Sequence, residues 1–262
     1  MGVKFMSLPL FSKHLGNSGP PLVILHGLFG SHKNWISVAT ALTEYADVYL
    51  LDLRNHGESP HHGDHCLSDM RGDVVFWLEN HLKEPALLLG HSMGGLVSMM
   101  TALERPDLVR GLVVADIAPK NYELRHEREF KALELNLENY SSRREIDAAM
   151  AKIVPEEGIR RFLQMNLERE ESGRYRWKLN VPALKKSCYL REFSEENRTW
   201  DGPALFLAGG KSTYVLDSDG GMILNYFPRA QIERNSEADH WMHHSAREWF
   251  LERVIDFLKK IS

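Results

Sequence analysis

The chain has 262 residues, of which 43% are hydrophobic and 26% charged, and its formal net charge is −4. This balance is typical of a globular protein and argues against a disordered chain or a coiled coil. The acidic net charge also argues against the concentrated basic face that nucleic acid requires, so we expect no nucleic-acid partner.

The cysteine content and the N-terminal sequence bear on location. Cys66 and Cys188 are too few for a disulfide scaffold, and free thiols suit a reducing cytoplasm. Residues 1–11 lack the long apolar stretch of a signal peptide, and no run approaches the ~20 apolar residues that span a membrane. We therefore expect a cytoplasmic protein without a membrane span, and nothing in the sequence indicates its oligomeric state.

Short apolar runs recur along the chain and predict strands. Because these runs are continuous rather than alternating, they are typical of strands buried on both faces of a parallel sheet. A sixth run, 230–233, predicts an edge strand. The five main runs are residues 22–25, 48–51, 86–89, 112–115 and 204–208.

Helical patterns lie between these runs. Residues 35–45 and 67–81 each place apolar side chains on one helical face, and Ser68 is predicted to be the N-cap of the second helix. Ser245 and Glu248 predict a capping box before a final amphipathic helix. Strands that alternate with helices predict a doubly wound, mostly parallel α/β sheet.

A segment near the middle of the chain interrupts this alternation. Residues 120–199 are rich in Glu, Arg, Lys and Leu and mainly helical in pattern, and alternation around Tyr175 and Trp177 indicates a short hairpin. We interpret this segment as a cap, or lid, inserted into a core formed by residues 1–119 and 200–262.

The strongest motif is Gly90-His91-Ser92-Met93-Gly94, which fits G-x-S-x-G. It lies between a predicted strand and a predicted helix, where a sharp turn exposes the serine as a nucleophile. The flanking glycines allow this turn, and the helix N-terminus favours negative charge nearby. Ser92 is therefore the predicted nucleophile.

A second motif, His26-Gly27-Leu28-Phe29-Gly30, directly follows the first main strand. A tetrahedral intermediate needs two N–H donors, one from the residue after the nucleophile and one from a loop of this kind. Leu28 and Met93 are the predicted oxyanion-hole residues, with Phe29 as the alternative to Leu28.

A general base is expected in the loop after the last strand. His240 lies there, just before the final helix, and His243 and His244 are close competitors. The acid that orients this base is harder to place, because residues 209–213 after the fifth main strand contain no carboxylate. Asp116, at the end of the preceding strand, is the first choice because α/β sites gather at such strand ends. Asp217 and Asp219 are the alternatives.

These motifs together resemble the α/β-hydrolase superfamily from about residue 22 to residue 261. The carriers of the resemblance are His26-Gly27, the loop from Asp52 to Ser59, Gly90-His91-Ser92-Met93-Gly94-Gly95 and Asp239-His240. The Asp116-Ile117-Ala118-Pro119 stretch, with no later acid, resembles a subgroup of small bacterial esterases. That subgroup cleaves short-chain esters and acyl-CoA thioesters, and the resemblance implies the role of acid for Asp116.

The resemblance and the motifs together predict an α/β-hydrolase fold with an inserted, mainly helical cap. They predict hydrolysis of a small-molecule ester or thioester through Ser92, His240 and Asp116, with no metal or organic cofactor. Two alternatives remain open: an acyltransferase or lyase that uses the same triad, and a small-molecule receptor of the same fold with little turnover.

Overall fold

The computed structural model describes residues 7–123, 125–193 and 198–261. The predicted core and cap ranges also contain residues 1–6, 124, 194–197 and 262, which lie outside the described residues. The β-strands are Ser12–Leu15 (β1), Pro21–Leu25 (β2), Asp47–Leu51 (β3), Ala86–His91 (β4), Val109–Ala115 (β5), Leu167–Arg169 (β6), Tyr175–Trp177 (β7), Ala204–Gly209 (β8) and Ala230–Asn235 (β9). The α-helices are Ile36–Leu42 (α1), Leu67–His81 (α2), Met93–Glu104 (α3), Glu127–Leu133 (α4), Arg143–Ala151 (α5), Glu157–Gln164 (α6), Val181–Lys186 (α7), Gly220–Tyr226 (α8), Met242–Ser245 (α9) and Arg247–Ile261 (α10). Single 3-10 turns cover His32–Asn34, Pro106–Leu108, Leu137–Asn139, Tyr189–Arg191 and Asp217–Asp219.

The central sheet has seven strands in the order β1-β3-β2-β4-β5-β8-β9. All pairings from β3 to β9 are parallel, and every residue of β2, β4 and β8 is buried. Burial on both faces explains why these strands read as continuous apolar runs. The predicted α/β fold with a mostly parallel sheet is confirmed.

The two edges of the sheet differ from its centre. Strand β9 forms one edge, as predicted from its weaker apolar character, and its residues are partly or fully exposed. Strand β1 forms the other edge and pairs antiparallel with β3, with Ser12 opposite Leu51. The sequence reasoning missed β1, because Ser12–Leu15 has polar central residues and owes its extended form to the pairing.

Helices cover both faces of the sheet and divide the core in two. On β2, Val23 and Leu25 point to the face covered by α2 and α3, while Leu22 and Ile24 point to the face covered by α1 and α10. Successive strand residues alternate in this way. Each of these fully buried side chains contributes about 1.5–3 kcal/mol of burial free energy.

The residues between β5 and β8 contain helices α4 to α7 and the hairpin of β6 and β7. In the hairpin Leu167 pairs with Trp177, as the alternation around Tyr175 and Trp177 predicted. Phe130 and Leu163 of this segment belong to the same apolar cluster as the helices α2 and α3. The segment therefore shares its core with the sheet domain, directly above the carboxyl ends of the strands.

Two predicted helix starts are wrong. Helix α2 begins at Leu67 with Cys66 at the N-cap, so Ser68 lies inside its first turn. Ser245 does not form a capping box with Glu248, because it ends the short helix α9. Its hydroxyl instead donates to Asp239 Oδ1 at 2.8 Å. None of the helices in the described ranges is long and apolar enough to cross a membrane.

Candidate active site

Ser92 lies at a strained turn between β4 and α3. Its backbone has φ 51° and ψ −118°, a conformation that costs energy for any residue with a Cβ. The flanking glycines are required by close approach: an added Cβ on Gly90 would lie 2.3 Å from the Gly94 carbonyl oxygen. On Gly94 it would lie 2.3 Å from the Leu25 carbonyl oxygen. The motif therefore forms the sharp strand-to-helix turn predicted for it.

The structure brings His240 and Asp116 into direct contact. His240 Nδ1 lies 2.7 Å from Asp116 Oδ2, although 124 residues separate them in sequence. The Gly209 N–H donates to Asp116 Oδ1 at 2.9 Å, and the Ser212 hydroxyl donates to Oδ2. Ser212 thus lies in the segment of residues 209–213, which contains no carboxylate, and its hydroxyl binds the Asp116 carboxylate next to it in space.

The carboxyl group of Asp116 remains ionised in this buried position. Burial by itself would raise the pKa of Asp116, but the hydrogen bonds from His240, Ser212 and Gly209 outweigh it and lower the pKa below its usual value. The ring of Tyr214 stacks on His240, with centroids 4.1 Å apart and planes 19° apart. His240 is therefore held at Nδ1 by a charged acceptor and across one ring face by an aromatic side chain.

The alternative acids lie elsewhere. Asp217 is 94% exposed at its side chain and pairs with Arg234 at 3.1 Å. Asp219 accepts from Lys120 Nζ and from the Leu216 N–H. Both carboxylates thus have partners other than His240, which leaves Asp116 as the acid that contacts the histidine.

The competing histidines also point elsewhere. His243 is buried and stacks on Trp35 with centroids 4.2 Å apart, and its Nδ1 has no hydrogen-bond partner within the described ranges. His244 packs against His243 at 4.5 Å. Neither ring contacts a carboxylate of the site through a hydrogen bond among the described residues.

The turn of residues 27–30 distinguishes between the two candidates for the first oxyanion donor. The Phe29 N–H donates to His56 Nε2 at 3.3 Å, and the Gly30 N–H donates to the Gly27 carbonyl at 3.0 Å. The Leu28 N–H, by contrast, has no acceptor among the residues that the structure describes. Met93 is the first residue of α3, so its N–H has no intrahelical acceptor either.

A cavity of about 340 Å³ opens over Ser92 and His240. Its walls come from the turn after β2, the loops after β8 and β9, and the segment between β5 and β8. Phe162 of α6 and Trp241 face each other there with ring centroids 5.9 Å apart. His126, before α4, also lines the cavity, and burial lowers its pKa to about 4, so its imidazole is neutral near pH 7.

The loop that carries Asp52 and Arg54 is held by hydrogen bonds and an ion pair in the interior. The Asp52 carboxylate accepts from the His32 N–H at 2.6 Å and from the Glu58 N–H at 2.9 Å. Arg54 pairs with Asp73 at 2.6 Å in the interior. These contacts give the loop a structural role, because its buried charged groups are bonded to neighbouring segments of the core. No group of three or more His, Cys, Asp or Glu side chains in the described part of the chain is arranged to hold a metal ion.

Several site residues were not found by sequence reasoning. Ser212 and Tyr214 follow β8, and the expectation that this loop contributes to the site was the available signal. Trp241 directly follows the predicted base, and that position was its signal. His126 carried no such signal, because its place in the cavity depends on how the inserted segment packs on the sheet.

Comparison with known proteins identifies the family of the chain. The model of the alpha/beta hydrolase fold family matches residues 20–246. The chain belongs to this family. A solved structure described as a marine microorganism esterase superposes with a TM-score of 0.93 at 37% identity, covering 96% of this chain and 100% of that one.

Curated relatives include animal and bacterial proteins. The mouse (Mus musculus) sn-1-specific diacylglycerol lipase ABHD11 is 39% identical over 249 residues, covering 91% of this chain and 81% of that protein. Esterase YbfF of Escherichia coli is 33% identical over 244 residues, covering 92% and 94%. The predicted resemblance to α/β-hydrolase esterases is confirmed, and it extends beyond bacterial proteins.

Proposed function

We propose that this chain is a serine esterase in which Ser92, His240 and Asp116 form the catalytic triad. The observation that carries the proposal is the 2.7 Å contact between His240 Nδ1 and Asp116 Oδ2, beside a cavity that Ser92 and His240 both line. Such a contact fixes the imidazole with its proton on Nδ1 and leaves Nε2 to accept the serine proton.

The class of reaction rests on the relatives and on the family. Those relatives are named as esterases and as a diacylglycerol lipase, and the family model covers most of the chain. The prediction of an ester hydrolase of the carboxylesterase class is confirmed at this level. Cleavage of acyl-CoA thioesters is part of the proposal and rests on the resemblance to thioester-cleaving esterases.

The proposed reaction runs through an acyl-enzyme. His240 takes the proton of the Ser92 hydroxyl as its oxygen attacks the acyl carbonyl, and the Leu28 and Met93 N–H groups stabilise the oxyanion. The protonated His240 then gives its proton to the leaving alcohol or thiol. Water, activated by His240, attacks the acyl-enzyme and releases the acid and free Ser92.

A fluorophosphonate probe tests the nucleophile. We expect stoichiometric labelling of the wild-type protein at Ser92, multiple turnovers of p-nitrophenyl acetate, and at least ~10³-fold lower turnover in Ser92→Ala. The double variant with His240→Ala should be little worse than either single variant, because the two groups act as one unit. Labelling at another residue, or losses that multiply, would contradict the triad.

The same assay separates the alternatives. Labelling without multiple turnover would indicate a receptor of the same fold. Product formation that rises when an alcohol or amine acceptor is added, with the acyl group found on the acceptor, would indicate an acyltransferase. A series of acyl chain lengths on p-nitrophenyl esters and on acyl-CoA would give the ester or thioester preference.

A further inference from the structure

His91, the residue before Ser92, has no part in the proton transfers proposed above, yet it touches the catalytic machinery on two sides. It ends β4 and is 4% exposed. Its Nε2 lies 2.8 Å from the main-chain carbonyl oxygen of His240. Because a carbonyl oxygen only accepts, Nε2 carries the proton and donates it. The hydrogen bond joins the nucleophile strand to the histidine loop across 149 residues of sequence.

The opposite edge of the His91 ring faces the oxyanion turn. A Cβ added to Gly27 would lie 2.9 Å from His91 Nδ1 and 3.2 Å from Ser92 Cβ. Gly27 therefore leaves just enough room for the imidazole. The ring is also packed against the ring of His240, at 4.7 Å between centroids, and that of His243, at 5.0 Å. These contacts confine the ring and aim its Nε2–H at the His240 main chain.

The charge state of His91 suits a fixed donor. Burial, with the neighbouring His240 as the next cause, lowers the pKa of His91 to about 3, so the ring is neutral near pH 7. With its proton on Nε2, the neutral ring has a single tautomer. It donates a hydrogen bond without placing a second positive charge beside His240 when that residue takes the serine proton.

The loop that carries His240 is anchored on either side of that residue, where the Lys211 N–H donates to the Ala238 carbonyl at 2.9 Å and the Asp239 N–H donates to the Ser245 hydroxyl at 3.1 Å. It follows β9, an edge strand whose residues are partly or fully exposed. The Trp241 N–H donates to Asp239 Oδ1 at 2.8 Å within the loop itself. At His240 itself, the contacts with Asp116 and Tyr214 hold the ring rather than the backbone.

We propose that His91 is a positioning residue, whose Nε2–H fixes the His240 main chain so that the imidazole stays between Asp116 and Ser92. The inference rests on the proposed triad. A general base must be held within a fraction of an ångström of its working place, and a 1 Å misplacement costs on the order of 10²-fold in rate. His91 supplies that restraint from the end of β4, directly before the nucleophile.

Three substitutions test the hydrogen bond. His91→Gln places an N–H donor about where the imidazole Nε2 stands, whereas His91→Asn is one carbon shorter and does not reach the carbonyl. His91→Leu removes the donor. We expect kcat on p-nitrophenyl butyrate to fall about 10–100-fold in the Asn and Leu variants, with KM within about threefold, and to stay within about threefold in the Gln variant.

The rate of fluorophosphonate labelling should follow kcat, since it depends on activation of Ser92 by His240. All rates are expressed per titrated active site, so that a loss of folded protein does not lower them. His14→Gln, on the exposed edge strand β1 and paired with Asp47, is the matched control and should leave all rates unchanged. If the Leu variant does not fold, the Gln and Asn pair decides the question.

Equal kcat values in the Gln and Asn variants, whether both near the parent or both low, would overturn the positioning role. The proposed function fails differently: the wild-type protein would then show neither labelling at Ser92 nor turnover. If the wild-type protein is labelled at Ser92 and turns over substrate, but the His91→Gln and His91→Asn variants have equal kcat values, only the role of His91 is rejected.

Discussion

Two neighbouring strands end beside His240 and contribute opposite hydrogen-bonding partners. Asp116 directly follows β5 and accepts from the histidine, whereas Gly209 at the end of β8 and Ser212 shortly after it donate to the same carboxylate. Both strands are buried and parallel, with Ala115 opposite Leu207. The two strands therefore differ in the hydrogen-bonding groups at their carboxyl ends and not in their direction in the sheet.

In the proposed triad, the position of the acid therefore depends on its place in space and not on its order in the chain. The carboxyl ends of adjacent parallel strands meet at one edge of the sheet, a few ångströms apart. The Asp116 N–H even donates to the Leu207 carbonyl, at 2.8 Å. A carboxylate from either strand can therefore reach the histidine, provided that the other strand supplies donors to hold it.

Removing the charge of Asp116 is expected to have the largest effect. Asp116→Asn should fold and lose about 10²–10⁴-fold in kcat, because an amide holds the wrong tautomer of the histidine; the upper figure is that of the equivalent substitution in a serine protease. Steady-state kinetics on p-nitrophenyl acetate, normalised to folded protein by circular dichroism, measure it. Activity near that of the parent would show that β5 does not supply the acid.

A smaller loss is expected from the β8 side. Ser212→Ala removes one hydrogen bond to the charged Asp116 Oδ2, and such bonds contribute about 1.5–3 kcal/mol. We expect kcat to fall about 10-fold, with recovery in Ser212→Thr, which keeps the hydroxyl. Stopped-time assays of the two variants in parallel decide the point, and equal losses in both would mean that the hydroxyl is not what matters.

Acid should lower the free energy of unfolding, because several buried histidines are neutral in the folded protein. The pKa values of His65 and His91 lie at about 3 and that of His126 at about 4, all lowered by burial from about 6.5. Between the folded and unfolded pKa values of these histidines, the unfolded chain binds more protons than the folded protein. The free energy of unfolding is therefore at its full value above about pH 6.5 and falls as the pH drops toward 4.

Each of these histidines contributes up to about 1.4 kcal/mol per pH unit to the slope. Urea unfolding at pH 7, 6 and 5 should show the decrease, and His126→Phe should reduce the slope because it removes one titrating group. An unfolding free energy that is constant from pH 7 to 5 would contradict the buried, neutral state of these rings.

The smallest effects on activity are expected at the two aspartates that do not touch His240. Asp217→Asn and Asp219→Asn should both keep kcat within about threefold of the parent. They should differ in stability, because Asp217 is exposed while Asp219 holds Lys120 and the Leu216 N–H; we expect a loss of about 1–3 kcal/mol for the latter. Thermal melts measure the difference, and a strong loss of kcat in either variant would move the acid away from β5.

The sequence by itself determined six of the seven strands of the central sheet and the sharp turn around Ser92. Apolar runs such as those of β4 and β8 can be recognised in the sequence because a strand buried on both faces is composed mainly of apolar side chains. The glycines around Ser92 can be recognised as a motif because the neighbouring backbones approach too closely for any Cβ. Such local and steric requirements produce patterns that can be recognised in one continuous segment of the sequence.

Tertiary structure alone decided which distant groups meet. Strand β1 is extended because it pairs with β3. The Ser245 hydroxyl donates to Asp239 and does not cap the next helix, although the local sequence indicated a cap. The contacts of Ser212 with Asp116 and of His91 with the His240 carbonyl join residues 96 and 149 positions apart. No local pattern encodes such hydrogen bonds, because they depend on the register of the sheet and the path of its loops, which only the packed fold fixes.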